Sequence, residues 1–221
     1  RYDKKCRFLT SEEKQAKLDA WESYTIRLKV PENIEISFDD VIRGKITVPS
    51  KDVDDQVLMK TDGFPTYHFA VVVDDYLMGV TDIIRWDEWI PSTPKHVILY
   101  NAFDWEMPKF SHVPPLVGAN KKKLSKRTGD VSVEIFLEKS YLPEALLNYI
   151  SLLGWNPKTT QEIFSLDELI EKFKLSDVHK AWAVFDTERL DWFNGQYIIN
   201  YEIQTLWNKL KTYLGRYNPE Y

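Results

Sequence analysis

The densest chemistry in the sequence is a basic loop, Lys121-Lys-Lys-Leu-Ser-Lys-Arg127, in which five of seven side chains are cationic. It lies between Gly118 and Gly129, residues able to take backbone angles closed to other side chains. An apolar stretch, His112-Val-Pro-Pro-Leu-Val117, runs into it. Ammonium groups on a loop beside a rigid strand can follow negative charge as it shifts while a phosphate ester breaks. The same composition fits a solvated basic turn, a localisation signal or a nucleic-acid patch, and the cluster alone does not decide. A second group with chemistry is Arg85, which ends the stretch Val80-Thr-Asp-Ile-Ile84 and precedes Trp86-Asp-Glu-Trp89. A forked guanidinium suits a buried carboxylate. Its competing role is a structural ion pair with Asp87 or Glu88.

Both groups need elements to carry them. Val80 to Arg85 reads as a short strand, Ser92 to Phe103 as a helix capped by Ser92, and Phe110 to Val117 as another strand. That order predicts a right-handed crossover and a parallel pair. The C-terminal ends of both strands, Arg85 and the Gly118 loop, would then face one crevice, where open parallel sheets bind ligands. Residues 65–79 give conflicting signals. Val71-Val-Val73 favours a strand, whereas Pro65 and Thr66 supply a helix start and Gly79 a stop.

Upstream, Thr10 with Glu13 forms a capping-box pair opening a helix to about Ala20. Tyr24, Ile26, Leu28 and Val30 alternate with polar residues as in a half-buried strand, and Ile34 to Phe38 and Val41 to Val48 read as further strands. Downstream the pattern is helical. Leu142, Leu146, Tyr149, Ile150 and Leu153 keep helical spacing between Pro143 and Gly154. Ser165 with Glu168 is a second capping box, and Asp186 opens a helix carrying Leu190 and Phe193. Trp155, Trp192 and Trp207 read as core residues rather than platforms for stacking bases.

The order Lys123-Leu-Ser-Lys-Arg127 resembles the KMSKS signature of class I aminoacyl-tRNA synthetases, in the KLSKR form of glutamyl-tRNA synthetases. Lys60 to Trp89, Pro91-Ser-Thr-Pro-Lys-His96 and Gly129-Asp-Val-Ser-Val133 are similar to the same family, in its order and spacing. The resemblance covers nearly the whole chain. It implies an α/β fold: the second half of a Rossmann-type parallel sheet, preceded by a small α+β insertion and followed by an α-helical region. It also favours the helix over residues 66–78. Residues 1–64 would be the later part of the connective, acceptor-binding insertion. Residues 65–105 would be the second half of the Rossmann domain, 106–200 a stem-contact region carrying the basic loop, and 201–221 the start of a helical anticodon-side domain.

The activity implied is ATP-dependent ligation of glutamate to tRNA through a glutamyl-adenylate. Lys123, Ser125 and Lys126 would be catalytic, with Lys126 foremost. Glu88, Pro115, Leu116, Lys123, Lys126 and Arg127 would bind ATP, and Tyr67, Val71 and Arg85 would bind glutamate. Magnesium would arrive with ATP. Two other readings stand beside this one. One is a synthetase-derived protein that binds tRNA or a partner without catalysis. The other is a paralogue that glutamylates a modified tRNA base, against which the helical continuation to Tyr221 argues. Several positions depart from the family pattern. Val71 stands for an asparagine, Trp86 for a small residue, and Trp21 and Trp182 for glycines.

The totals set bounds. The 221 residues suffice for one or two cored domains, and 43% hydrophobic with 29% charged residues is ordinary globular composition. A net charge of -5 offers no global field for nucleic acid, so tRNA contact would rest on local patches. Cys6 is the sole cysteine, which excludes an internal disulfide and a cysteine-built zinc site and fits a reducing cytoplasm. The four histidines make no metal constellation. No run approaches the roughly 20 apolar residues of a membrane span. A monomer is expected. The start at Arg1-Tyr2-Asp3 suggests a fragment whose upstream half carries the family's HIGH-type signature, inactive by itself.

Overall fold

The computed structural model describes residues 2–124 and 132–217, in two compact units divided between His112 and Val113. The first unit opens with α1 (Ser11–Asp19), started by the Thr10–Glu13 capping box that the sequence predicts. Then come β1 (Ile26–Arg27), β2 (Glu35–Asp40), β3 (Gly44–Pro49) and β4 (Val57–Met59). They are followed by α2 (Tyr67–Leu77), β5 (Asp82–Trp86), α3 (Thr93–Ala102) and β6 (Lys109–Val113). β2 and β3 form an antiparallel hairpin in register from Glu35↔Pro49 to Asp40↔Gly44. β2 also pairs in parallel with β6, Asp40 against Phe110, and the sheet runs β3-β2-β6-β5. The hairpin and the strand–helix–strand unit are therefore one sheet.

The valine run of α2 is helical because both of its ends are fixed. Thr66 donates its backbone N–H to Leu58 O at 2.7 Å and its hydroxyl to Val57 O at 2.6 Å, which anchors the first turn. At the far end Gly79 takes φ 69°, and Val80 N–H reaches Asp75 O at 2.9 Å, the αL closure that stops a helix. The core behind it gathers Val72, Val97, Leu99, Tyr100 and Phe110 with Leu28, Val30, Ile36 and Phe38, and Val71 packs against it partly buried.

Some expectations are corrected. The strand expected from Tyr24 to Val30 forms ladder pairs only at Ile26–Arg27. The stretch Val41 to Val48 turns first and becomes strand from Gly44. Ser92 sits at the N-cap of α3, but its side chain makes no cap bond, because a 3-10 turn (Asp87–Ser92) already leads the backbone in with helical angles. The stretch Phe110 to Val117 splits into β6 and β7 (Leu116–Val117), since Pro114-Pro115 supplies no ladder donors.

The second unit continues with α4 (Val133–Glu138), α5 (Pro143–Gly154), α6 (Leu166–Lys172), β8 (Ala183–Val184), α7 (Thr187–Asn200) and α8 (Ile203–Tyr217). Leu146 and Tyr149 of α5 pack on Leu190 and Phe193 of α7, while Trp155, Phe164 and Leu169 form a neighbouring cluster. Trp192 and Trp207 are 40% and 52% exposed, so only Trp155 of the three tryptophans is core. Among the described residues no helix is long and apolar enough to cross a membrane.

A buried polar layer braces the first unit. Asp40, fully buried, accepts from Ile42 N–H (3.0 Å), Arg43 N–H (2.8 Å), His112 N–H (3.0 Å) and His112 Nδ1–H (2.6 Å). Burial pushes the His112 pKa down despite Asp40, and burial with nearby Arg85 pushes His96 down to about 3. Both rings are thus neutral in the fold and take up protons near 6.5 once unfolded. The unfolded chain binds more protons below that point, so stability must rise with pH across this window. Urea unfolding should give a lower free energy at pH 5 than at pH 7; equal or greater stability at pH 5 would contradict it. Trp21 offers a second check. It sits at the left-handed position that ends α1, with φ 54° and 93% of its surface exposed. Replacing it by glycine relieves the backbone without losing packing, so Trp21→Gly should raise stability by about 1 kcal/mol in the same assay.

Candidate functional site

β5 alternates exposed and half-buried positions, which turns Ile83 and Arg85 inward and Ile84 and Trp86 outward. Arg85 brings a guanidinium to the wall where α2 and α3 meet. Its Nη2 lies 3.0 Å from His96 Nδ1, and its head sits 5.9 Å from the Trp89 ring centre. Its Nε is buried without a hydrogen-bond partner among the described residues. Of the described carboxylates none lies within ion-pair distance of Arg85. The structural pairing with Asp87 does not form. Asp87 pairs with Arg43 Nη2 at 3.0 Å, while Arg43 Nε donates to the His112 carbonyl at 3.2 Å. Burial lowers the Arg85 pKa from its usual value, against the favourable pull of Tyr67, Asp75 and Tyr100.

The surrounding side chains come from three elements. Tyr67, at the first turn of α2, is 53% exposed and stands 5.3 Å from the Trp89 ring and 5.4 Å from His68. His68 Nδ1 lies 3.0 Å from His96 Nε2. α3 presents Thr93, His96 and Tyr100 on its buried face, spaced three and four apart. The Tyr100 hydroxyl is buried without a partner among the described residues, and burial with Asp75 pushes its pKa up to about 12. Val71 lies one turn beyond Tyr67 and offers only hydrocarbon to this region. Buried polar atoms are nearly always paired. Two such atoms without a partner among the described residues, Arg85 Nε and Tyr100 Oη, lie on this one wall.

The basic loop begins in the second unit, on a small β-hairpin. Leu124 N–H donates to Leu116 O at 3.1 Å, Gly118 N–H to Lys122 O at 2.9 Å, and Val117 bridges Lys123 antiparallel. Lys121 holds the turn with φ 60°, and Asn120 Oδ1 accepts from Lys122 N–H at 2.9 Å. Lys121, Lys122 and Lys123 are exposed. Ser125, Lys126 and Arg127 lie outside the described residues. Pro115 is buried, and Leu116 pairs in parallel with Ala183 of β8. Glu88 sits exposed in the 3-10 turn that follows β5.

Of the predicted site residues, Tyr67, Val71, Arg85 and Glu88 belong to the first unit, and Pro115, Leu116 and Lys123 to the second. Trp89, His68, His96 and Tyr100 were not foreseen. Trp89 had a readable signal, four residues after Arg85. Local sequence gives the histidines no role beyond metal binding, and among the described residues no group of three or more His, Cys, Asp or Glu could hold a metal ion.

The sequence profile of tRNA synthetases class I (E and Q), catalytic domain, matches residues 1–192. A glutamate–tRNA ligase of Alkaliphilus metalliredigens is 56% identical over 198 residues, covering 90% of this chain and 40% of that protein. Another, from Finegoldia magna, is 53% identical over 214 residues, covering 97% of this chain and 44% of its own length. The crystal structure of a glutamate tRNA ligase from Elizabethkingia meningosepticum, in complex with its amino acid, matches with TM-score 0.85 and 38% identity. It covers 98% of this chain and 48% of that one. The chain therefore spans less than half the length of these relatives, and it shares their Rossmann-like α/β fold. With most of its length matched, it belongs to the class I tRNA synthetases (E and Q), within their catalytic domain.

Proposed function

We propose that this chain is the second half of the catalytic core of a glutamate–tRNA ligase, with its stem-contact region. In that reading a glutamate carboxylate oxygen attacks the α-phosphorus of ATP and the bond to the β-phosphate bridge breaks. Pyrophosphate leaves, and the tRNA 3′ hydroxyl then takes the glutamyl group with release of AMP. The observation that carries the reading is Arg85: a half-buried guanidinium with no carboxylate in ion-pair reach among the described residues, beside the exposed Tyr67. A second anionic group, such as the side-chain carboxylate of glutamate, suits that fork.

The other roles follow. Lys123 and Lys126 strengthen their hold on the pyrophosphate as charge develops, and Ser125 donates to a phosphate oxygen. Glu88 and Arg127 border ATP, and the Pro115–Leu116 backbone flanks adenine. Magnesium enters with ATP, in a cytoplasmic, monomeric enzyme. Residues 1–64 serve the acceptor end, 65–105 the Rossmann half, 106–200 the stem contact and 201–221 the anticodon side.

One observation favours a second reading, a non-catalytic tRNA- or partner-binding protein: Val71 packs on the core and supplies no polar group beside Tyr67. ATP–pyrophosphate exchange with tRNA present separates the two, and an inert full-length protein would remove the ligase reading. Within that reading, Lys126→Ala should slow exchange by about 10²–10³-fold; a change of only a few-fold would remove Lys126 from its role. Val71→Asn should tighten glutamate binding by about ten- to a hundredfold through one hydrogen bond to a charged group, with ATP binding nearly unchanged. Calorimetry on the parent, Val71→Asn, Trp86→Gly and the double variant reads this directly. No gain in any of the three places the glutamate site elsewhere.

A further inference from the structure

The hydrogen bonds around Arg85 fix more than distances. A guanidinium only donates, so His96 Nδ1, 3.0 Å from Arg85 Nη2, must be the acceptor. A neutral His96 then carries its proton on Nε2 and donates it to His68 Nδ1, 3.0 Å away. His68 in turn carries its own proton on Nε2. Donors thus run in one direction, Arg85 to His96 to His68. Protonating either ring would place a donor against a donor. The pKa values of both rings are depressed, mainly by burial, so both stay neutral.

The same unit shows the alternative way to hold a buried arginine. Arg7 Nη1 donates to both oxygens of Asp55, at 2.8 and 2.7 Å, with both side chains at most 5% exposed. That pair cancels its own charge. Arg85 is held by a ring without charge, and the nearby Asp87 is committed to Arg43.

We propose that His96 is a positioning residue for ligand binding: its neutral imidazole, accepting from Arg85 at Nδ1 and donating Nε2–H to His68, aims the guanidinium without pairing its charge, which stays available to a ligand carboxylate. The identity of that carboxylate as glutamate rests on the function proposed above. A carboxylate at position 96 would hold the guanidinium at least as firmly and spoil the site, because the ligand would then meet a compensated charge. Geometry and charge are thereby separable.

The test uses the full-length protein and three variants, His96→Asn, His96→Leu and His96→Asp, with glutamate and ATP affinities measured by calorimetry. Asparagine keeps an acceptor near the Nδ1 position and should bind glutamate within about threefold of the parent. Leucine removes the acceptor and aspartate compensates the charge, so both should weaken glutamate about tenfold or more, with ATP affinity nearly constant. The aspartate variant binding glutamate as well as asparagine would overturn the charge argument. Parallel loss of glutamate and ATP affinity in the asparagine and leucine variants would reduce His96 to a structural role. Nitrogen-15 spectra of the imidazoles read the chain independently: both rings should be neutral Nε2–H tautomers at pH 7, and an Nδ1–H proton on His96 would refute it. A parent that binds no glutamate, with the tautomers as described, overturns the functional reading and the ligand half of this inference. It leaves the hydrogen-bond chain standing.

Discussion

The carboxylate of Asp40 is the point on which the first unit depends. It terminates β2, and its four hydrogen bonds reach the turn into β3 at Ile42 and Arg43 and the β6 residue His112, 72 positions away in sequence. A buried carboxylate is tolerated only when such donors replace its water. Losing any one of them would leave a buried oxygen short of a donor, at a cost of roughly 1–3 kcal/mol. Because Asp40 fixes Arg43, it also fixes the ion pair from Arg43 to Asp87, the second residue beyond Arg85. A charge at the centre of the sheet thus decides which carboxylate near Arg85 is already occupied. Thr93 completes the brace from α3, with its hydroxyl 3.2 Å from His112 Nε2.

Two arginines of this unit, Arg7 buried and Arg85 half-buried, show how placement of counter-charge separates structure from binding. Arg7, with Asp55 and the Val30 carbonyl, ties the N-terminal turn to the segment before β4 and exposes nothing for a ligand. Arg85 faces an aromatic and imidazole wall instead, with Trp89 over its head and Tyr67 at the rim. Preorganised charge without a compensating partner is costly in the free protein and is regained when an anion enters. That asymmetry, more than cavity shape, supports the proposal that this wall takes a carboxylate.

Much of the fold was legible where local chemistry dominates. Both capping boxes formed as read, at Thr10 with Glu13 and at Ser165 with Glu168, since each needs only four adjacent residues. The α2 helix was ambiguous from its valines alone, and distant carbonyls of Val57 and Leu58 settled its start. Strand extents were overread because alternation reports a half-buried face, not a ladder partner. Trp192 and Trp207 looked like core by residue type alone, yet each lies on a helix face open to solvent. Motif order singled out Arg85 and Tyr67, which the fold places on neighbouring elements around Trp89. The roles of His68, His96 and Asp40 were not, because they arise from contacts across 28 and 72 residues that no local pattern encodes.

The central claim is that Arg85 is held ready for a carboxylate that the fold does not supply. A crystal structure of the full-length protein with glutamate bound tests it most directly. It should show the glutamate side-chain carboxylate in a forked contact with Arg85 at about 2.7–2.9 Å, with Asp87 still on Arg43 and His96 still on Arg85. Glutamate bound away from Arg85, or Arg85 turned to pair with Asp87 or Asp75, would contradict it.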